Sequence, residues 1–409
     1  MNTSEPSHTE LDSKSLSVAG GGLLLVLGII FVGANLRAPL TSVGPLVGFI
    51  KEDLGISNTL AGILTTLPLI AFALLSPFAP RLARRYGIEA VLLAAMGLLT
   101  VGIVLRSLAG EGALFTGTAC VGLAIAVCNV LMPSIIKQKF PAKVGVMTGV
   151  YSVSMNLSGA VASGLSVPIG TSLGLGWHGA LGVWGVLAFV SMLLWLPQMK
   201  NRRKQEKAVQ SQTSENVNLW RSPLAWQITL FMGLQSMVFY IIVAWLPEIL
   251  EQRGLASGQA GWTLSLVQFS LLPFTFAVPI LAGKMKSQTP LVAITGVLFL
   301  GGTTGLLLGS TALIPVWVMM IGIAGGSAFS LAMMFFSLRT SSGHQAAELS
   351  GMAQSIGYLL ASIGPTLFGF LHDQTNGWNV PLGLLIAISA LILFFGIGAG
   401  KNRKIVNGK

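Results

Sequence analysis

The run Phe31-Val-Gly-Ala-Asn-Leu-Arg-Ala-Pro-Leu-Thr-Ser-Val-Gly-Pro-Leu46 lies inside an apolar stretch, residues 19–48, whose one charged residue is Arg37. A stretch of this length exceeds the ~20 residues that a helix needs to cross a bilayer. An arginine within hydrocarbon costs about 2.5 kcal/mol or more, so it is kept where it faces a cavity or a partner. The run therefore reads as a membrane span that turns one polar face inward. Gly33, Arg37, Thr41 and Gly44 share that face at helical spacing. Pro39 and Pro45 interrupt the backbone ladder and favour a bend.

The rest of the chain repeats the apolar pattern. Similar runs fall near 58–80, 88–107, 113–135, 146–170, 178–197, 224–249, 258–282, 289–309, 313–336, 348–371 and 378–399, making twelve spans. Only 9% of the 409 residues are charged, against roughly 25% in a soluble domain. That balance excludes a water-soluble enzyme. The net charge of +11 is a topology signal and not a nucleic-acid footprint, because the basic residues sit in short loops. Twenty of the 24 Lys and Arg lie in the tails and alternate loops, and three, Lys51, Arg106 and Arg253, lie in the others. By the positive-inside rule both termini are expected in the cytoplasm. The first 17 residues lack the charged-then-apolar pattern of a cleavable signal peptide. Cys120 and Cys128 are about two helical turns apart in one run, too far for a disulfide.

The polar stretch 200–221 divides the chain near its middle. Gly149 and Gly351 stand 202 residues apart, Gly176-Trp177 and Gly377-Trp378 stand 201 apart, and Pro80 and Pro279 stand 199 apart, each pair at the same place in its half. Such offsets indicate duplication. The expected architecture is an all-α polytopic protein of two pseudo-symmetric six-helix bundles, 19–199 and 222–400. Around them lie an N-terminal tail 1–18, the linker 200–221 and a C-terminal tail 401–409.

No Asp or Glu falls near the middle of any span, so Arg37 lacks an obvious internal counter-ion. A planar guanidinium suits an anionic or strongly polar ligand; the alternative is that it caps backbone carbonyls or shapes a gate. Asn35 and Thr41 flank it. The fifth span carries Ser152, Asn156, Gly159 and Ser163 on one stripe, and the eleventh carries Gln354, Tyr358, Ser362 and Pro365. At the 202 offset Ser152 overlies Gln354 and Asn156 overlies Tyr358. The seventh span adds Gln235, Ser236, Phe239 and Tyr240 before Trp245, an expected interfacial anchor. These stripes read as walls of a central path, or as interhelical hydrogen bonding. Asn129 and Gln268 are lone polar groups with the same two readings. The candidate ligand set is Arg37, Asn35, Thr41, Asn156, Gln235, Tyr240, Gln354 and Tyr358. No phosphate-binding loop, metal-ligand pattern or nucleophile elbow occurs, so no catalytic residue, metal or cofactor is expected.

Asn35-Leu-Arg-Ala-Pro-Leu-Thr-Ser-Val-Gly-Pro-Leu46, Leu64-Thr-Thr-Leu-Pro-Leu69, Pro133-Ser-Ile-Ile-Lys137, Ala244-Trp-Leu-Pro247 and His344-Gln-Ala-Ala-Glu-Leu-Ser-Gly-Met-Ala-Gln-Ser-Ile-Gly-Tyr358 together resemble the cyanate/nitroimidazole transporter family of the major facilitator superfamily. The first string is similar to the cyanate branch and the later ones to the nitroimidazole branch. The resemblance implies alternating access in a bacterial inner membrane. It also implies a ligand site between the halves at Arg37, a small-molecule substrate and a monomer. The superfamily's loop after the second span usually holds an Asp where this chain has Arg84, while Arg85 and Gly87 fit. A gate on the basic face would then draw on Arg84, Arg85, Glu89 and Lys284, with Glu89 as the candidate acid. An efflux pump of broader specificity is the rival transport reading. A non-transporting sensor, a lipid enzyme and a channel are the rivals from other classes. The linker and tails are too short to hold a signalling domain, and no paired carboxylates stand at an interface.

Overall fold

The computed structural model describes residues 8–56, 58–108, 110–199, 218–255 and 257–405. Most of the linker lies outside these residues. The first half is built of α1 (His8–Asn35), α2 (Ala38–Thr41), α3 (Val47–Leu54), α4 (Asn58–Leu75), α5 (Ala79–Tyr86), α6 (Ile88–Arg106), α7 (Glu111–Lys139), α8 (Val144–Thr171) and α9 (Gly176–Trp195). The second half is built of α10 (Pro223–Gln252), α11 (Ser257–Lys284), α12 (Thr289–Leu308), α13 (Ile314–Leu338), α14 (Gly343–Thr375) and α15 (Asn379–Gly400). Among the described residues ten helices are long and apolar enough to cross a membrane, or eleven when α4 and α5, bent by 54°, count as one span. The remaining expected span falls on α8, whose 28 residues include no charge. The protein is thus an all-α, multi-pass membrane protein, with ten or eleven such spans among the described residues.

Local chemistry sets the helix ends. Ser222 accepts from the Ala225 amide at 3.3 Å ahead of Pro223 and opens α10. Ser342 does the same for α14 with the Gln345 amide at 3.1 Å. Gly87 joins α5 to α6 at φ 81° and ψ 144°, a conformation that a side chain would strain.

The duplicated glycines have a structural reason. Gly149 on α8 faces the second half, where an added Cβ would stand 3.0 Å from the Phe276 carbonyl of α11. Gly351 on α14 faces the first half, where a Cβ would stand 2.8 Å from the Ser76 carbonyl and 3.1 Å from Pro80. Each half therefore presses a glycine of its fifth helix onto the second helix of the other. Both contacts lie toward the face that bears the basic loops, called the basic face below.

Candidate functional site

The first span breaks where the sequence places Arg37. Helix α1 stops at Asn35, and Arg37 precedes α2 with φ −122°. Pro39 carries no N–H and so cannot continue the ladder of α1. The Arg37 side chain leaves this break across Gly159 of α8, where a Cβ would stand 3.1 Å from Arg37 Cβ and 3.3 Å from its Cδ. Arg37 Nη1 donates to Asn156 Oδ1 at 2.9 Å, and Asn156 Nδ2 donates to the Ser152 carbonyl at 2.9 Å. The guanidinium lies 4.7 Å over the ring of Phe239, a cation–π arrangement.

These groups border a cavity of about 630 Å³, including the open space at its mouth. Arg37 and Asn156 are its wall on the first half. The second half supplies Gln235, Ser236, Phe239 and Tyr240 from α10, Gln268 from α11 and Tyr358 from α14. An apolar wall of Val267, Leu271, Phe299, Ile321 and Phe329 completes it. Among the described residues no protein group hydrogen-bonds the hydroxyls of Tyr240 and Tyr358. Both are free to meet a ligand, and no carboxylate lines the cavity.

The structure brings together Arg37, Asn156, Gln235, Tyr240 and Tyr358. It places the other three expected ligand residues elsewhere. Asn35 is fully buried and donates to Ser191 Oγ at 2.6 Å and to the Phe31 carbonyl at 2.8 Å. The span breaks between the two residues, so Asn35 closes α1 against α9 while Arg37 leaves the break toward the cavity. Thr41 Oγ1 donates to the Gly159 carbonyl at 2.8 Å and ties α2 to α8. Gln354 lies one turn from Tyr358 toward the basic face and donates to the Asn129 carbonyl at 3.0 Å. It joins the two halves beneath the cavity. At the repeat offset, Asn156 and Tyr358 both reach the cavity, and Ser152 and Gln354 both miss it.

The basic face is a seam between the halves. Lys137 Nζ donates to the Ser337 carbonyl at 2.6 Å, to Thr340 Oγ1 at 2.8 Å and to the Thr340 carbonyl. Ser134 Oγ donates to the Gly343 carbonyl at 2.6 Å, and Ser337 Oγ donates to the Pro133 carbonyl at 3.2 Å. Behind this loop the buried Arg339 donates to the Ala399 carbonyl at 2.8 Å, and burial pushes its pKa down to about 10. Of the expected gate residues, Arg84 bridges the halves through Glu348 at 3.3 Å. The acid partner is thus Glu348 across the seam, not Glu89. Glu89 pairs with Lys139 at 3.0 Å inside the first half. Arg85 lies over the ring of its neighbour Tyr86. Lys284 is exposed at the end of α11 and has no ion pair among the described residues. Sequence reading missed Lys137 as a seam residue, although Pro133–Lys137 is one of the strings that carries the resemblance.

The sequence pattern of the Major Facilitator Superfamily matches residues 23–365, and the chain belongs to that superfamily, whose members are transporters and not enzymes. It is 46% identical over 382 residues to the uncharacterized transporter YycB of Bacillus subtilis (strain 168), covering 93% of this chain and 94% of the relative. It is 40% identical over 392 residues to the 2-nitroimidazole transporter of Escherichia coli (strain K12), covering 96% and 99%. It is 25% identical over 355 residues to the cyanate transport protein CynX of the same organism, covering 87% and 91%.

Proposed function

We propose that this protein is a secondary transporter of the bacterial inner membrane, with both termini in the cytoplasm. Its substrate is a small compound with a compact oxygen-rich end, either anionic or nitro. The carrying observation is the guanidinium of Arg37: one nitrogen is tied to Asn156, its face rests on Phe239, and no cavity carboxylate competes for the rest. A nitroimidazole-type heterocycle fits this reading better than cyanate. A ring fills a cavity with several aromatic and branched walls, whereas a three-atom ion leaves most of it unused. The higher identity to the 2-nitroimidazole transporter points the same way. Without a carboxylate in the cavity, coupling to protons would run through the charge of the substrate itself.

With the seam closed on the cytoplasmic side, the described state holds the inner path shut. Transport then follows from rocking of the two halves about the cavity, as in other proteins built of parallel six-span repeats. The test is thermal stabilisation of the purified protein by 2-nitroimidazole, cyanate and small aromatic carboxylates, with Arg37→Ala beside it. A hydrogen bond to a charged group is worth about 1.5–3 kcal/mol, so the variant is expected to lose at least ~10-fold in affinity. Equal stabilisation of both proteins by neutral apolar compounds would overturn the Arg37 reading. It would support broad-specificity efflux, which the apolar wall also suits.

A further inference from the structure

A second arginine lies within the fold, away from the cavity. Arg106 ends α6 on the side opposite the basic face and is fully buried. Its Nη1 donates to the carbonyl of Pro39 at 2.6 Å, while Nε and Nη2 meet no protein acceptor. No acidic side chain pairs with it among the described residues. A cation withdrawn from water without a counter-ion is costly, and the carbonyl it meets already accepts from Ser42 Oγ at 3.3 Å. Satisfying that carbonyl therefore does not account for a buried guanidinium.

What the bond does account for is position. Pro39 lies in the single helical turn that follows the break in the first span, and Arg37 heads that turn. The amides of Leu40 and Thr41 donate to the Arg37 carbonyl at 3.0 and 2.9 Å, so Arg37 and Pro39 move as one rigid unit. Arg106 is itself held from behind: any side chain at Gly117 of α7 would run into the Arg106 backbone. A chain of contacts thus runs from α7 through Arg106 and Pro39 to Arg37. We propose that Arg106 is the positioning residue of the ligand site, fixing where the side chain at position 37 stands against α8. This rests on the reading of Arg37 as the ligand-binding group, but its test needs no ligand.

The test is cysteine cross-linking in the otherwise intact protein. Arg37→Cys with Gly159→Cys places two Cβ atoms about 3.1 Å apart, and Gly33→Cys with Ser154→Cys places two about 3.5 Å apart on the same pair of spans, before the break. Both pairs lie near the range from which a disulfide closes. With Arg106→Gln, the 37–159 yield is expected to fall at least five-fold while the 33–154 yield stays within two-fold of its starting value. Arg106→Lys, which keeps one charged donor, should restore part of the 37–159 yield, and it serves if the glutamine variant does not fold. A parallel fall of both pairs would make Arg106 a general stability residue and overturn the proposal. Unchanged yields at both pairs would overturn it too. Loss of ligand response in Arg37→Ala is read separately, so failure of the binding reading is told apart from failure of this one.

Discussion

The seam on the basic face and the cavity are both places where the two halves meet, and they are built from opposite materials. At the seam the partners are small residues and backbone carbonyls: Gly149 against Phe276, Gly351 against Ser76, Ser134 and Lys137 against the 337–343 loop. At the cavity they are long side chains with unused capacity, namely Arg37, Tyr240, Tyr358 and Gln268. The seam is therefore largely self-satisfied, the buried Ser76 hydroxyl excepted. It closes without help, and each of its carbonyls can exchange its partner for water when the halves part. The cavity is unsatisfied and is completed by something that enters it. One region sets which conformation is populated, and the other sets what binds.

The strongest way to break this division is to make the seam unable to close. Any Cβ at Gly145 would run into the Pro279 carbonyl. Gly145→Leu is therefore expected to cost the closed state about 1–3 kcal/mol, the usual scale of overpacking. The closing equilibrium should shift roughly five- to 150-fold toward opening on the basic face. Spin labels at the exposed Arg81 and Lys286, one in each half, should move to a longer main distance. If ligand affinity fell while the distance held, the seam and the cavity would not be separate devices.

Lys137→Met is the next step down. It removes the donor to three acceptors on the other half, and an orphaned buried carbonyl costs about 1–3 kcal/mol. Part of that loss is recovered as water enters the opened seam, so a smaller displacement than for Gly145→Leu is expected from the same labels. On the cavity side, Phe239→Leu removes the ring beneath the Arg37 guanidinium and should cost ligand affinity about 0.5–2 kcal/mol. The Arg81–Lys286 distance should stay where it is in the wild type. A shift there would mean that the cation–π contact helps to close the protein.

How far the sequence foretold this division follows from which signals point in a direction. Span number and duplication were plain, because apolar length and repeat offset do not depend on which way a side chain faces. Arg37 stood out because a charge in hydrocarbon must face inward. Asn156 and Tyr358 were found through the repeat. Asn35 is not at the cavity, because adjacency in the chain is not adjacency in space across the break that separates it from Arg37. Phe299, Ile321 and Phe329 left no trace, because in a bilayer a lipid-facing and a cavity-facing apolar residue look alike. Lys137 reads in the sequence as a loop charge that sets topology, and nothing in its spacing shows that it reaches carbonyls of the other half.

The weakest contact at the seam sharpens the comparison most, because it is where the sequence departs from the superfamily pattern. Arg84 stands where an acid is usual, and its partner Glu348 comes from the other half. The Arg84 side chain is 49% exposed and that of Glu348 31%, and an ion pair in such a place is worth only ~0–1 kcal/mol. Arg84→Ala should therefore shift the Arg81–Lys286 distances only slightly, and less at high salt. The double exchange Arg84→Glu with Glu348→Arg should restore the wild-type distribution. Arg84→Glu alone should open the seam further than Arg84→Ala, since it sets two carboxylates against each other. If the exchange failed while Arg84→Ala was silent, Arg84 would serve the seam through its aliphatic stem and not its charge. Polarity would then be irrelevant at the very position where this chain differs from its superfamily. If the exchange succeeded, the usual acid would be shown to matter only as half of a pair, free to change sides so long as its partner changes with it.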